Sequence, residues 1–259
     1  MKIEILNKSD NEIQFLLEES NPQFANALRR IIISEIPILA IQTVDFTIND
    51  SVLYDEVIAS RLGLIPLVFI PGDFKFKEDC KCKGKGCSQC QVIFAINKKG
   101  PGMVYTKDMK SSNPDVKPLF NDIPIVELLE NQRLKLEATA ILGLGKNHTK
   151  YKAANAFHRY YPMVKLKGKL KNPEECVKAC PKHALEINSR AKVTIECDLC
   201  KECVKIANPK VLEIIGDDTK FIFNVESISG LTAEEIVFQA VDILKKKAKE
   251  FEKQIKKLK

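Results

Sequence analysis

Apolar residues alternate with polar ones in some stretches of the chain and recur at three-to-four spacing in others, and the switches between the two periods mark out the elements. Met1–Leu17 alternates through Ile3, Ile5, Ile13, Phe15 and Leu17, with a polar run over 7–11, which predicts a β-hairpin. In Asn21–Ala40, NPQFANALRRIIISEIPILA, the period changes, and Phe24, Ala27, Leu28, Ile31 and Ile32 share one helical face. Asn21 can cap this helix, Pro22 fits its first position, and Pro37 ends it because the residue before a proline leaves the α region. Ile41–Ile48 alternates as a strand. Tyr54–Leu67 predicts a short helix with Val57, Ile58, Leu62 and Leu64 as its apolar positions, closed by Gly63 and Pro66. Val104–Lys107 and Leu134–Gly143 read as strands, and the polar, proline-rich run 111–124 as a loop. Met163–Leu166 is a further strand. Val211–Ile215 and Lys220–Val225 alternate as a hairpin turning at Gly216-Asp217-Asp218. Thr232 and Glu235 then form a capping box. Val237, Val241, Leu244, Ala248, Phe251, Ile255 and Leu258 follow at four-three spacing, the seam of a long helix that packs on a partner. The pattern is α+β, with a β-rich unit over 41–157.

Composition narrows the class. The 259 residues allow one large domain or two to three small ones, and 45% hydrophobic with 29% charged residues is ordinary for a soluble globular protein. The start, MKIEILNKSD, has no signal-peptide core, and the most apolar run, Ile31–Ile41, is broken by Ser34, Glu35 and Pro37, so neither secretion nor a membrane span is expected and the cytoplasm is the expected location. The net charge of +7 is concentrated in the last fifteen residues, where eight lysines face two glutamates. Such a run is most often a solvated helix face, so contact with DNA is expected to be indirect or weak. Gly143–Lys150, GLGKNHTK, is not a phosphate-binding loop: position 140 is Ala where the loop needs Gly, and Asn147 stands where it needs Ser or Thr. No aspartate cluster suits two magnesium ions. Catalytic residues are not expected.

Nine cysteines fall into two clusters, 80–90 and 176–203, which in a cytosolic chain points to metal rather than disulfides. Cys80, Cys82, Cys87 and Cys90 lie within eleven residues, with Gly84 and Gly86 giving the loop freedom to wrap one ion. Four thiolates suit a structural zinc ion with no open position; the alternatives are disulfides or an iron–sulfur site, and the Cys-x-Cys start without a ferredoxin-like run argues against the latter. In the second cluster, Cys197-x2-Cys200-x2-Cys203 is the opening of a ferredoxin run, but its fourth position is Ala207. Cys176-x3-Cys180-Pro181 upstream is the closing half of such a run. Ferredoxins cross their ligands, the last cysteine of one run serving the other cluster. The crossing assembles Cys180, Cys197, Cys200 and Cys203 around one [4Fe–4S] cluster and leaves Cys176 over. A [3Fe–4S] form stays open if one ligand is labile, and zinc on the same four cysteines is the alternative.

The paired Arg29-Arg30 with Ser34-Glu35-Ile36-Pro37 resembles the N-terminal signature of the α-like subunits of cellular RNA polymerases, those of archaea above all. Asp55-Glu56 with ASRLGLIPL (59–67), the Gly145-Lys146-Asn147-His148 loop, the RYYP segment 159–162, the ferredoxin-like insert and the long final helix follow in that family's order, so the resemblance spans the whole chain. It implies a discontinuous α/β dimerisation domain (1–40, 158–168 and 211–259) carrying a β-rich insert domain (41–157) and a ferredoxin-like iron–sulfur insert (169–210). It also implies a non-catalytic assembly subunit of a DNA-directed RNA polymerase. Such a subunit pairs with the smaller subunit L to make a platform for subunits N and P and for the two large catalytic subunits. The pairing surface would comprise Phe24, Leu28, Ile31, Val237, Val241, Leu244 and Phe251, with the apolar face of the Asn21 helix buried by the partner. Arg29, Arg30 and Arg61 would face the large subunits. The competing reading, from the iron–sulfur motif alone, is a ferredoxin-type electron-transfer subunit of an oxidoreductase.

Overall fold

The computed structural model describes residues 1–187, 191–207 and 211–258. The chain opens with the hairpin β1 (Lys2–Lys8) and β2 (Glu12–Glu18), followed by helix α1 (Pro22–Ser34). Asn21 caps α1, its Oδ1 accepting from the Phe24 amide at 2.9 Å. β3 (Pro37–Asn49), α2 (Asp55–Gly63) and β4 (Leu67–Val68) come next, then β5 (Gln91–Lys99), β6 (Gly102–Tyr105), β7 (Lys110–Ser111), β8 (Lys117–Pro118), β9 (Pro124–Leu128) and β10 (Arg133–Leu144). β11 (Ala154–Leu166) leads into α3 (Pro173–Lys178), β12 (Leu185–Ile187), β13 (Ala191–Val193) and α4 (Glu202–Ala207). β14 (Leu212–Ser227) and α5 (Ala233–Lys256) complete the order.

The chain divides into two compact units: one of residues 1–8, 13–29 and 157–224, the other of 9–12, 30–156 and 225–259. The first is built on a four-stranded sheet in the order β1-β2-β14-β11. Its core is aromatic: the Phe15 and Phe223 rings stack at 5.0 Å, and Phe221 is fully buried beside them. Ile3 and Ile5 on the edge strand stay exposed although their register partners Leu17 and Phe15 are buried. The α3–α4 region adds a small core of its own, joined by Leu212 and Ile214 of β14. The expected end of the insert at residue 210 lies outside the described residues.

The second unit is built on the antiparallel sheet β3-β10-β5-β7. Leu134, Leu136, Ala138, Ala140 and Leu142 of β10 are buried as their alternation predicts. β5 occupies the interior of this sheet and is absent from the sequence reading, although Val92, Phe94 and Ile96 alternate and are buried; the adjoining cysteines masked the pattern. Pro124–Leu128, partly assigned to loop from sequence, pairs with β6.

Two further expectations are corrected. β14 is one continuous strand of 16 residues rather than a hairpin turning at Gly216-Asp217-Asp218. Gly216 is there for space: a Cβ on it would lie 2.4 Å from Tyr160 Cβ on β11. Its φ is not among the positive values that such turns require. The apolar face of α1 is also largely covered by the chain itself, with Ala25, Leu28, Ile31 and Ile32 at 5% exposure or less. It does not wait for a partner to bury it.

Candidate metal centres and interaction surface

The first cysteine cluster forms a compact thiol site between β4 and β5. The Sγ atoms of Cys80 and Cys87 lie 3.5 Å apart, those of Cys82 and Cys90 3.6 Å, and those of Cys87 and Cys90 3.8 Å. Cys80 and Cys90 are buried, Cys82 and Cys87 half-buried. The loop reaches this arrangement through left-handed backbone at Lys83, Gly84 and Gly86, with φ of 53°, 82° and 93°. Its amides turn toward sulfur, and the Cys87 N–H donates to Cys90 Sγ at 3.3 Å. Burial opposes ionisation of Cys82, yet hydrogen bonds from the Gly86 amide, the Cys80 and Cys90 thiols and the Gly84 amide bring its thiol down to about 6. Burial pushes the Cys90 thiol up to about 12. Among the described residues this is the group of three or more metal-ligating side chains whose ligand atoms all fall within 4.8 Å of one another, so the four cysteines can hold a metal ion.

The second set is looser and lies in the first unit. Cys180, Cys197 and Cys203 are buried and Cys200 is exposed. Burial raises the Cys203 thiol to about 11, and charge on Cys180, Cys197 and Cys200 adds to the rise. Burial likewise raises Cys197, with Cys180, Asp198 and Cys200 contributing. Cys180 and Cys200 thus both contribute to the rise of Cys197 and of Cys203. Cys176, 1% exposed, is raised by burial and by Glu175, with no thiol contributing. The segment 197–203 winds through left-handed residues at Leu199 and Lys201, with φ of 62° and 64°, on either side of the exposed Cys200. The Ala184 amide donates to Cys180 Sγ at 3.3 Å, and Arg159 of β11 donates to the Cys197 carbonyl at 3.3 Å.

The residues expected at a partner surface divide by burial. Leu28 and Ile31 are interior; Phe24 and Arg29 are half-buried, and Arg30 is exposed. Arg29 donates to Asn26 Oδ1 and Arg61 to the Pro124 carbonyl, each at 2.9 Å. On α5, Ala233, Ile236 and Ala240 are buried, whereas Val237, Val241 and Leu244 are half-buried and Phe251, Ile255 and Leu258 are 66%, 43% and 88% exposed. An uncovered apolar seam thus runs along this helix, whose N-terminus is fixed by the Thr232–Glu235 capping box. The sequence reading missed a second uncovered patch. Of the α2 positions assigned to the core, Ile58 and Leu62 are fully buried, but Val57 and Leu64 are 42% and 63% exposed, flanking Arg61 with Tyr54 nearby in sequence. The signal was their spacing, which sets them off the 58/62 stripe. Among the described residues no helix is long and apolar enough to cross a membrane.

Residues 41–161 match the family described as the RNA polymerase Rpb3/RpoA insert domain. Over nearly its whole length the chain is similar to DNA-directed RNA polymerase subunit Rpo3 of three archaea. It is 35% identical to that of Archaeoglobus fulgidus, covering 99% of this chain and 98% of the relative. For Methanothermobacter thermautotrophicus the identity is 37%, covering 96% and 97%. For Pyrococcus horikoshii it is 38%, covering 100% and 99%. The chain belongs to the archaeal Rpo3 family. Members of this family are α-like subunits, as the N-terminal signature implied. The electron-transfer alternative is not supported, since the Rpo3 resemblance runs through both cysteine clusters and through the strands around them.

Proposed function

We propose that this chain is a non-catalytic assembly subunit of an archaeal DNA-directed RNA polymerase, working in the cytoplasm and pairing with subunit L. The observation that carries the reading is the end-to-end similarity to Rpo3 subunits. The uncovered seam of α5 adds a surface for the pairing through Val237, Val241, Leu244 and Phe251, and Phe24 of α1, half-buried, is assigned to the pairing as well. The heterodimer is the platform for subunits N and P and for the two large catalytic subunits. Arg29, Arg30 and Arg61 meet the large subunits, with Val57 and Leu64 as apolar neighbours of Arg61. In this reading the dimerisation domain comprises 1–40, 158–168 and 211–259, with the inserts at 41–157 and 169–210.

We assign zinc to Cys80, Cys82, Cys87 and Cys90. Zn–S bonds of about 2.3 Å in a tetrahedron put sulfurs about 3.8 Å apart, close to the 3.5–3.8 Å separations in the loop. We assign one [4Fe–4S] cluster to Cys180, Cys197, Cys200 and Cys203, with [3Fe–4S] as the form left if a ligand is lost. Thiolates around a cluster stand farther apart than those closing on one ion, which suits the looser second set. Cys180, Cys197 and Cys203 also belong to the insert's small core, so the cluster ties together the short elements that build it.

Co-expression with the remaining polymerase subunits tests the reading. A Leu244→Asp/Phe251→Asp chain is expected to fold, bind its metals and fail to enter the enzyme. Normal incorporation of that variant would overturn the proposed surface, and failure of the unaltered chain to co-purify with polymerase would overturn the function.

A further inference from the structure

The positive charge of the chain has a specific layout on α5. Residues 245–259 carry eight lysines and two glutamates, six of the seven net charges. Three of these lysines are engaged: Lys245 with Asp242 at 3.6 Å, Lys256 with Glu252 at 2.6 Å, and Lys247 with Glu35. Lys246, Lys249, Lys253 and Lys257 are exposed and make no ion pair or side-chain hydrogen bond among the described residues. At about 100° per residue these four lie within about 80° of one another around the helix and extend about 16 Å along it. The seam through Val237, Val241, Leu244, Phe251, Ile255 and Leu258 centres about 170° away. If the seam takes the partner subunit, as proposed above, the lysine stripe is left facing solvent on the opposite side.

We propose that this stripe is a sequence-independent contact for the phosphates of duplex DNA. The stripe offers one uncommitted ammonium about every helical turn, roughly 5.4 Å, to a polymer carrying one charge per about 1.7 Å of axis. Glu250 lies at its edge, and Glu252 is engaged by Lys256. All four cations are lysines, which act as point charges and lack the planar fork with which arginine reads a base edge or grips a carboxylate. The stripe contains no aromatic or aliphatic anchor, and lysine is depleted at the cores of protein–protein interfaces. These features favour a nucleic-acid backbone over an acidic protein surface. The contact is weak, electrostatic and indifferent to sequence.

The test is fluorescence anisotropy of a labelled 20-base-pair duplex with the full-length chain, titrated between 50 and 200 mM salt. Four phosphate contacts give log K against log salt a slope of about −3.6, a loss of about 150-fold in affinity across that range. The variant K246Q/K249Q/K253Q/K257Q is expected to lose this binding and slope while still pairing with the other polymerase subunits. A duplex of scrambled sequence should bind equally well. Phe251→Asp is expected to leave the salt slope unchanged, which separates this contact from the pairing surface: failure of pairing with an intact DNA slope counts against the assembly reading alone. Equal DNA affinity of the quadruple variant and the unaltered chain would overturn the proposal. So would a quadruple variant that keeps DNA binding but loses an acidic polymerase subunit, because the occupant would then be a protein.

Discussion

His158 stands between Phe221 and Phe223, at ring separations of 5.7 and 5.2 Å, and its Nδ1 is buried without a hydrogen-bond partner among the described residues. Burial, and then the Arg29 charge, hold its imidazole below the usual histidine range. The unfolded chain therefore binds a proton below about pH 6.5 that the folded one refuses, and stability is lost as pH falls through that window. Replacing His158 with Phe is expected to flatten the decline, read as a smaller shift of the urea midpoint between pH 7 and 5 than the unaltered protein shows. An equal shift would remove the account of this residue. The cysteines give a second prediction. Cys176→Ala should retain the full iron and sulfide content and Cys200→Ser should lose most of it, because the Cys176 thiol is raised by burial and Glu175 alone, whereas Cys200 contributes to the rise of Cys197 and Cys203. The reverse result in iron analysis would reassign the ligands. The grouping of Cys80, Cys82, Cys87 and Cys90 was legible in the sequence because spacing within a short loop decides it. The setting of His158 was not, because its cage comes from β14, more than sixty residues along the chain.

At the level of elements, local signals placed the β1–β2 hairpin, α1 with its Asn21 cap, β10 and the capping box of α5, since each is set by period and terminal chemistry within a few residues. They failed where a distant neighbour overrode a local sign. Gly216-Asp217-Asp218 has turn composition, but it lies within a strand that packs Leu212 and Ile214 into one core and Phe221 and Phe223 into another. Its glycine gives room to Tyr160. Gly216→Ala brings a Cβ against another backbone-anchored Cβ that cannot rotate away, and should cost about 1–3 kcal/mol of stability in a denaturant titration of the full chain. A change within error would show that the strands can part there at little cost. The wide apolar face of α1 was similarly over-read: period reports which residues share a face, not whether the covering chain is the same one.

For the whole molecule, the chemistry expected is that of the four-cysteine loop that can hold a metal ion, the second cysteine set proposed to hold a cluster, and the uncovered seam of α5. Neither thiol set is arranged for turnover. The first, closed at four ligands, would leave a zinc ion no open position, and three of the second set, Cys180, Cys197 and Cys203, lie within the core of their own insert. The metals are thus expected to act through folding. Chelation of the first site should loosen the segment before β5, and loss of iron should loosen the α3–α4 region, with hydrogen exchange rising in each locally. Membership in the Rpo3 family could be read from short motifs in their order, while the burial of Leu28 and Ile31 needed the fold. The central claim, that this chain is a metal-bearing assembly subunit, is tested most directly by native mass spectrometry of the chain co-expressed with subunit L. The account predicts a one-to-one heterodimer whose mass includes one zinc and one four-iron, four-sulfide cluster. A metal-loaded monomer that leaves subunit L unbound would contradict it.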